Sequence, residues 1–290
     1  MKNLDLRPLS VGEILDRTFT LYRTHFLLFL GICAVPQILL LALNLSQVFI
    51  GTPAIPGKQG ANAAVAHLST GMGVTAVILG ILGLIVWLIV YLFSQGATVT
   101  AVSELYLGRT ITISDSFRRV RGEVGNLFGV IMLNGLATGA AFILLIIPGI
   151  YVMCRLAVCI PAALIENLGP RTSLERSWEL TKDNAGRAFL IILLYFALSF
   201  AAAALFAVPF QIMMVLSAAK SHPEAMRMWM AFMQIGSTIA TVLVTPVLTI
   251  ASAILYYDLR VRKEAFDLQM MMNPLGGASP VPSSVPSVLS

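Results

Sequence analysis

The chain has 290 residues, of which 58% are hydrophobic and only 11% charged, with a mean hydropathy of +0.86 and a net charge of +5. An ordinary globular domain carries about a quarter charged residues, so this composition excludes a water-soluble fold. The basic excess is read from its location rather than its size, and its location excludes a nucleic-acid surface.

Crossing the hydrocarbon core takes roughly 20 mostly apolar residues in a helix. Runs of that kind fall at Phe26–Ile50, Val74–Thr98, Leu127–Ile147, Gly149–Ile165, Phe189–Ser217 and Met230–Tyr257. They are continuously apolar rather than alternating, which argues for helices and against a barrel. The expected fold class is therefore all-α, a polytopic membrane protein of six transmembrane helices in three hairpins.

Lys2, Arg7, Arg17 and Arg23 precede the first run. Arg109, Arg118, Arg119 and Arg121 follow the second, and Arg171, Arg176, Lys182 and Arg187 follow the fourth. Arg260, Arg262 and Lys263 follow the sixth, while the opposite side holds Lys58, Lys220 and Arg227. The positive-inside rule then places both termini in the cytoplasm, at a bacterial plasma (inner) membrane, with anionic lipid headgroups as the expected partners of these cations. The first apolar run is too long for a signal-peptide core and is expected to act as an uncleaved insertion signal.

Taken in chain order, the basic segments repeat. Ser10–Arg17 reads SVGEILDR, Thr112–Arg119 reads TISDSFRR and Thr172–Glu179 reads TSLERSWE. Each pairs a hydroxyl with an acid three residues on: Ser10 with Glu13, Thr112 with Asp115, Thr172 with Glu175. That is the capping-box spacing that opens a helix. The even-numbered spans also end alike, with Glu104, Glu166 and Asp258 each followed shortly by arginine. This predicts a unit written three times, a cytoplasmic amphipathic interfacial helix followed by a transmembrane hairpin. In the first such helix Val11, Ile14, Leu15, Phe19 and Tyr22 share one face, and Glu13, Asp16, Arg17, Thr20 and Arg23 the other. Such a helix lies in the headgroup plane, packs across the bundle's cytoplasmic ends, or docks a protein partner.

The connection Gly51–Gly73 contains GTPAIPGKQG and reads as a flexible external loop. The Pro- and Ser-rich segment 269–290 reads as a disordered cytoplasmic tail after a membrane domain of residues 1–268. Cys33, Cys154 and Cys159 fall within spans and read as small apolar residues rather than a disulfide framework.

Arg155 stands out as the only ionisable residue deep in a span. Counted from a turn at Pro148 and Gly149, it lies roughly 9 Å below the outer end. Burying it costs on the order of 2.5–3.5 kcal/mol even on the lenient insertion scale. By the same counting Asn44 lies roughly 9 Å deep, Gln211 roughly 12 Å and Gln234 roughly 6–8 Å. These four define a candidate polar cluster that an anionic group would complete. In the competing reading Arg155 snorkels outward or bonds to carbonyls freed by a kink. Pro36, Pro161, Pro209 and Pro246 are candidate kinks. Gly125/Gly129, Gly135/Gly139, Ala197/Ala201 and Ala203/Ala207 are candidate close-packing pairs.

His25, His67 and His222 do not converge with cysteines or acids at zinc spacing, and no HExxH, Walker A, dinucleotide or G-x-S-x-G motif occurs. The reading is a non-enzymatic module without cofactor, with a small transporter or lipid-handling protein as the alternative.

RPLSVGEILDRTFTLYRTHF near the start, IPGIYVMCRLAVCIPAALIENLGPRTSLERSWELTKDN in the middle and LYYDLRVRKEAFDL near the end together resemble the glycerophosphoryl diester phosphodiesterase membrane-domain family. The resemblance spans residues 4–268. It implies a multi-pass membrane domain, which in some members is fused to a phosphodiesterase barrel. This chain holds no segment with the size or composition of that barrel, so the resemblance implies no catalytic or metal-binding residue here.

Overall fold

The computed structural model describes residues 9–50, 72–106, 108–219 and 223–276. Among these it is all-helical, 91% helix without strands. In chain order the helices are α1 (Val11–Thr24), α2 (Phe26–Ile50), α3 (Met72–Tyr106), α4 (Ile113–Leu144) and α5 (Ile146–Arg155). They continue with α6 (Cys159–Glu166), α7 (Pro170–Leu180), α8 (Ala185–Phe206), α9 (Val208–Ala219) and α10 (Pro223–Gly276). Five helical stretches are long and apolar enough to cross a membrane, or six if α1 and α2, which meet at an 81° bend, form one. The chain thus has the make-up of a multi-pass helical membrane protein.

Proline sets many of the boundaries. A proline ring clashes with the carbonyl four residues earlier and removes its hydrogen-bond donor. Leu144 and Glu166 each end a helix four residues ahead of Pro148 and Pro170. Ala157, four before Pro161, lies in the gap between α5 and α6. Each of these prolines then sits in the first turn of the next helix, where no donor is needed. Pro36 and Pro246, expected as kinks, lie in helices that run on through them. The anticipated turn at Pro148 and Gly149 is likewise inside α5; the chain turns one step earlier, at an extended Leu145.

Helix α10 is the hub, packing on α1, α2, α3, α8 and α9. Its Ile250, Ile254, Leu255, Tyr256 and Leu259 are fully buried beside Val102 of α3 and Phe29 and Ile32 of α2. α3, α5–α6 and α10 are mostly enclosed, whereas α4 and α8 turn most of their length outward. Their exposed Leu136, Ile143, Phe200 and Leu205 suit a hydrocarbon surround.

One of the three expected capping boxes forms in full, at Ser10, and a second, at Thr112, forms its hydroxyl half. Ser10 Oγ accepts from Glu13 N while Glu13 Oε2 accepts from Ser10 N, and Thr112 Oγ1 accepts from Asp115 N. Thr172 caps nothing. Pro170, pre-set for the first helical position, starts α7 after Gly169 and leaves Thr172 inside the helix. The segment 51–71, which holds His67, lies outside the described residues, as do His222 and residues 277–290; α10 extends into the expected tail as far as Gly276.

Candidate functional site

The arginine-rich end of the bundle is built on the acids that close its spans. Glu104 at the end of α3 is nearly buried and pairs with Arg119 of α4 and, at 3.6 Å, with Arg109. Glu166 at the end of α6 takes Arg176 of α7 at 3.1 Å and the Tyr256 hydroxyl at 2.5 Å. Arg176 also reaches Glu264 of α10 at 2.5 Å. Burial works against the charge on Arg176, but its hydrogen bonds and charge attraction to Glu166 and Glu264 outweigh that and hold its pKa above the usual arginine value. Asp258, its side chain fully buried, binds Arg187 of α8 at 3.0 Å and Arg262 at 2.8 Å, and accepts the Leu9 N–H at 2.6 Å. Both arginines also donate to the Leu9 carbonyl. The residues just before α1 are thus clamped to the far end of the chain. Charge-assisted bonds of this kind are about twice as strong as neutral ones.

Arg155 ends α5 and is 5% exposed. Because α5 begins at Ile146, Arg155 is nine residues in, roughly 14 Å along the helix rather than 9 Å. Its guanidinium lies 4.5 Å from the Trp178 ring and 5.8 Å from that of Tyr151, and its Nε is buried without a hydrogen-bond partner. The gap of residues 156–158 frees its backbone carbonyl, which accepts from Ser177 Oγ of α7 and from Thr181 Oγ1 just past its end, both at 2.9 Å. The kink is therefore satisfied by hydroxyls, not by the arginine side chain. Beside Trp178 lies an open groove of about 470 Å³, mostly apolar, with Glu175 and Glu179 on its wall.

The three amides expected around Arg155 are placed elsewhere. Helix α5 packs chiefly on α4 and α8, while Asn44, Gln211 and Gln234 lie on α2, α9 and α10. Asn44 and Gln234 are half-buried and Gln211 is exposed. Equal depth along different helices did not translate into proximity. Trp178, Ser177 and Thr181, which do meet Arg155, lie in a segment read from sequence only as interfacial. Among the described residues no group of His, Cys, Asp or Glu could hold a metal ion.

Helical architecture and apolar spans define the class, a multi-pass membrane protein. No family model, curated protein or solved structure matches the chain.

Proposed function

We propose that this chain is a non-enzymatic membrane module that organises lipid- or envelope-related partners at a bacterial plasma membrane, its arginine-rich end cytoplasmic. Its helices are read as three hairpins, each preceded by an amphipathic interfacial helix, consistent with the resemblance to the phosphodiesterase membrane-domain family. The observation that carries this reading is the ion-pair plate. Glu104 and Glu166 at the ends of α3 and α6, and Asp258 within α10, tie these helices to α4, α7, α8 and the residues just before α1. A plate so cross-linked is a rigid platform on the cytoplasmic side. The test is reconstitution into liposomes, together with site-specific cross-linking from exposed Thr20 in native membranes. The reading expects no saturable solute flux, no glycerophosphodiester hydrolysis and a discrete envelope-protein adduct. Saturable flux or hydrolysis by the pure protein overturns it.

A second reading, a small transporter or lipid-handling protein, is favoured by one observation: the Arg155 guanidinium lies against the Trp178 and Tyr151 rings, its Nε buried without a partner, beside an open groove. An anionic headgroup there would complete its charge. Native mass spectrometry tests it, since wild type would retain an anionic lipid that Arg155→Leu loses.

A further inference from the structure

A second concavity lies on the other side of the α5–α6 gap. It holds about 300 Å³ and is walled by α3, α4, α8 and α10 together with Leu156 and Ala157 of the gap. That volume is at the low end for ligand sites and equals roughly ten waters of liquid, enough for a small polar head with the first atoms of a chain. Gln95, Asn134, Thr138, Tyr195, Thr249 and Ser252 supply polar groups to its wall. Gln95 is eleven residues from the end of α3, roughly 16 Å along the helix, a depth at which polar groups are costly unless partnered.

The partnering is incomplete in a particular way. Thr249 Oγ1 donates to Gln95 Oε1 at 2.8 Å, and Thr138 Oγ1 donates to Asn134 Oδ1 at 3.3 Å. Both amide oxygens are engaged, which leaves their two NH₂ groups, beside the Tyr91 and Tyr195 hydroxyls, as donors offered to an occupant. Donors of this kind select ester and hydroxyl oxygens. None of these polar residues is charged at neutral pH, and an ionic head at this depth would need a counter-charge.

The cavity opens sideways. α4 and α8 both line it yet do not pack closely on each other, and Gly135 and Phe196 at their facing edges are exposed on the outward surface. A Cβ on Gly135 would meet no atom within 4 Å. Gly135, read from sequence as a close-packing glycine, therefore borders open space. Non-helical backbone at membrane depth is tolerated where it is enclosed by protein or lines a cavity, and residues 156–157 do line this one.

We propose that this cavity is a laterally entered site for an uncharged acylglycerol-type amphiphile, its hydroxyl and ester oxygens held by the Gln95 and Asn134 amides and its chain trailing between α4 and α8 into the bilayer. The site is separate from Arg155, and it stands or falls independently of the platform role.

The test uses the full chain in phosphatidylcholine vesicles containing a photoactivatable monoacylglycerol, with labelled peptides mapped by mass spectrometry. Saturable labelling of the α4 and α8 segments around Gly135 and Phe196 is expected, about tenfold weaker in Gly135→Leu, which blocks the mouth, and in Gln95→Leu, which removes a donor. Unlabelled phosphatidylglycerol should compete poorly. Because the Gly135 position is open, Gly135→Leu should melt with the wild type, so its loss of labelling would not reflect misfolding. Labelling that rises linearly with probe and is equal in both variants would mean surrounding lipid only and would overturn the site. Equal competition by phosphatidylglycerol would overturn its selectivity for uncharged ligands.

Discussion

Replacing Asp258 by asparagine keeps the shape of the side chain and removes its charge. In the wild type the carboxylate is fully buried, 3.0 Å from Arg187 and 2.8 Å from Arg262, and accepts the Leu9 N–H at 2.6 Å. At an effective dielectric near 20, each charge pair at about 4 Å between group centres is worth about 4 kcal/mol before desolvation. Both arginine side chains stay 25% exposed, so water recovers part of that when the acid is neutralised. Truncating one partner of a buried pair costs about 3–5 kcal/mol; the exposure puts Asp258→Asn near the lower figure, about 3 kcal/mol. SDS-induced unfolding in mixed micelles measures this directly. Arg187→Met and the double variant close a cycle that isolates the pair. A loss below about 1 kcal/mol, the range of exposed surface pairs, would refute the claim that this acid anchors the plate.

Other outcomes follow from the same contacts. A Cβ on Gly236 would come within 1.8 Å of the Phe206 carbonyl oxygen, so Gly236→Ala should cost about 1–3 kcal/mol. Gly139→Ala, whose added Cβ would meet no atom within 4 Å, should be neutral or stabilising by up to about 1 kcal/mol; thermal melts in detergent check both. Trp178→Leu removes the face on which Arg155 lies and should lower stability by about 2 kcal/mol, an effect that vanishes in an Arg155→Leu background. Ser177→Ala and Thr181→Val should each cost about 1 kcal/mol or less, because the other hydroxyl still serves the Arg155 carbonyl. Their double variant should lose more than the sum of the two, as denaturant titration would show.

Much of the fold is legible in the sequence because hydropathy fixes where a chain can leave water. The run expected from Phe26 begins where α2 begins, and the Ser10 and Thr112 caps form because hydroxyl and acid are local partners. The exit acids were legible as a pattern, but the partners of Asp258 were not, since Leu9 lies 249 residues away. Helical rise gives depth but neither azimuth nor neighbour, and so Asn44, Gln211 and Gln234 were grouped with an arginine their helices do not meet. Gly236 carried no signal of its own. Its importance depends on where α8 ends, which is set by Pro209 on another helix. The α5–α6 gap did carry one, the position of Pro161, but a proline alone does not say whether a helix runs on through it, as α2 does at Pro36, or stops.

Arg155 and the other arginines answer the same physical problem in two ways. At the charge-rich end, acids are affordable because water covers part of each arginine; Glu166 and Glu264 share Arg176 while Asp258 holds Arg187 and Arg262, so each of these carboxylates is engaged. Farther along the helix, a carboxylate added to balance Arg155 would itself be desolvated, and an ion pair in such surroundings often breaks even at best. An indole face offers attraction to a cation without a second charge to bury. Trp178 therefore stabilises Arg155 while leaving its net charge uncompensated, and Ser177 and Thr181, one turn apart on that same segment, close the backbone gap beside it. One short helix thus secures both the side chain and the backbone of this arginine without neutralising it. An arginine kept for its stacking alone would lose stability when replaced by a neutral residue of similar size. If Arg155→Met raises stability while abolishing retention of an anionic lipid, the charge is kept for binding. If Arg155→Met lowers stability and lipid retention is unchanged, the stacking on Trp178 is its whole purpose.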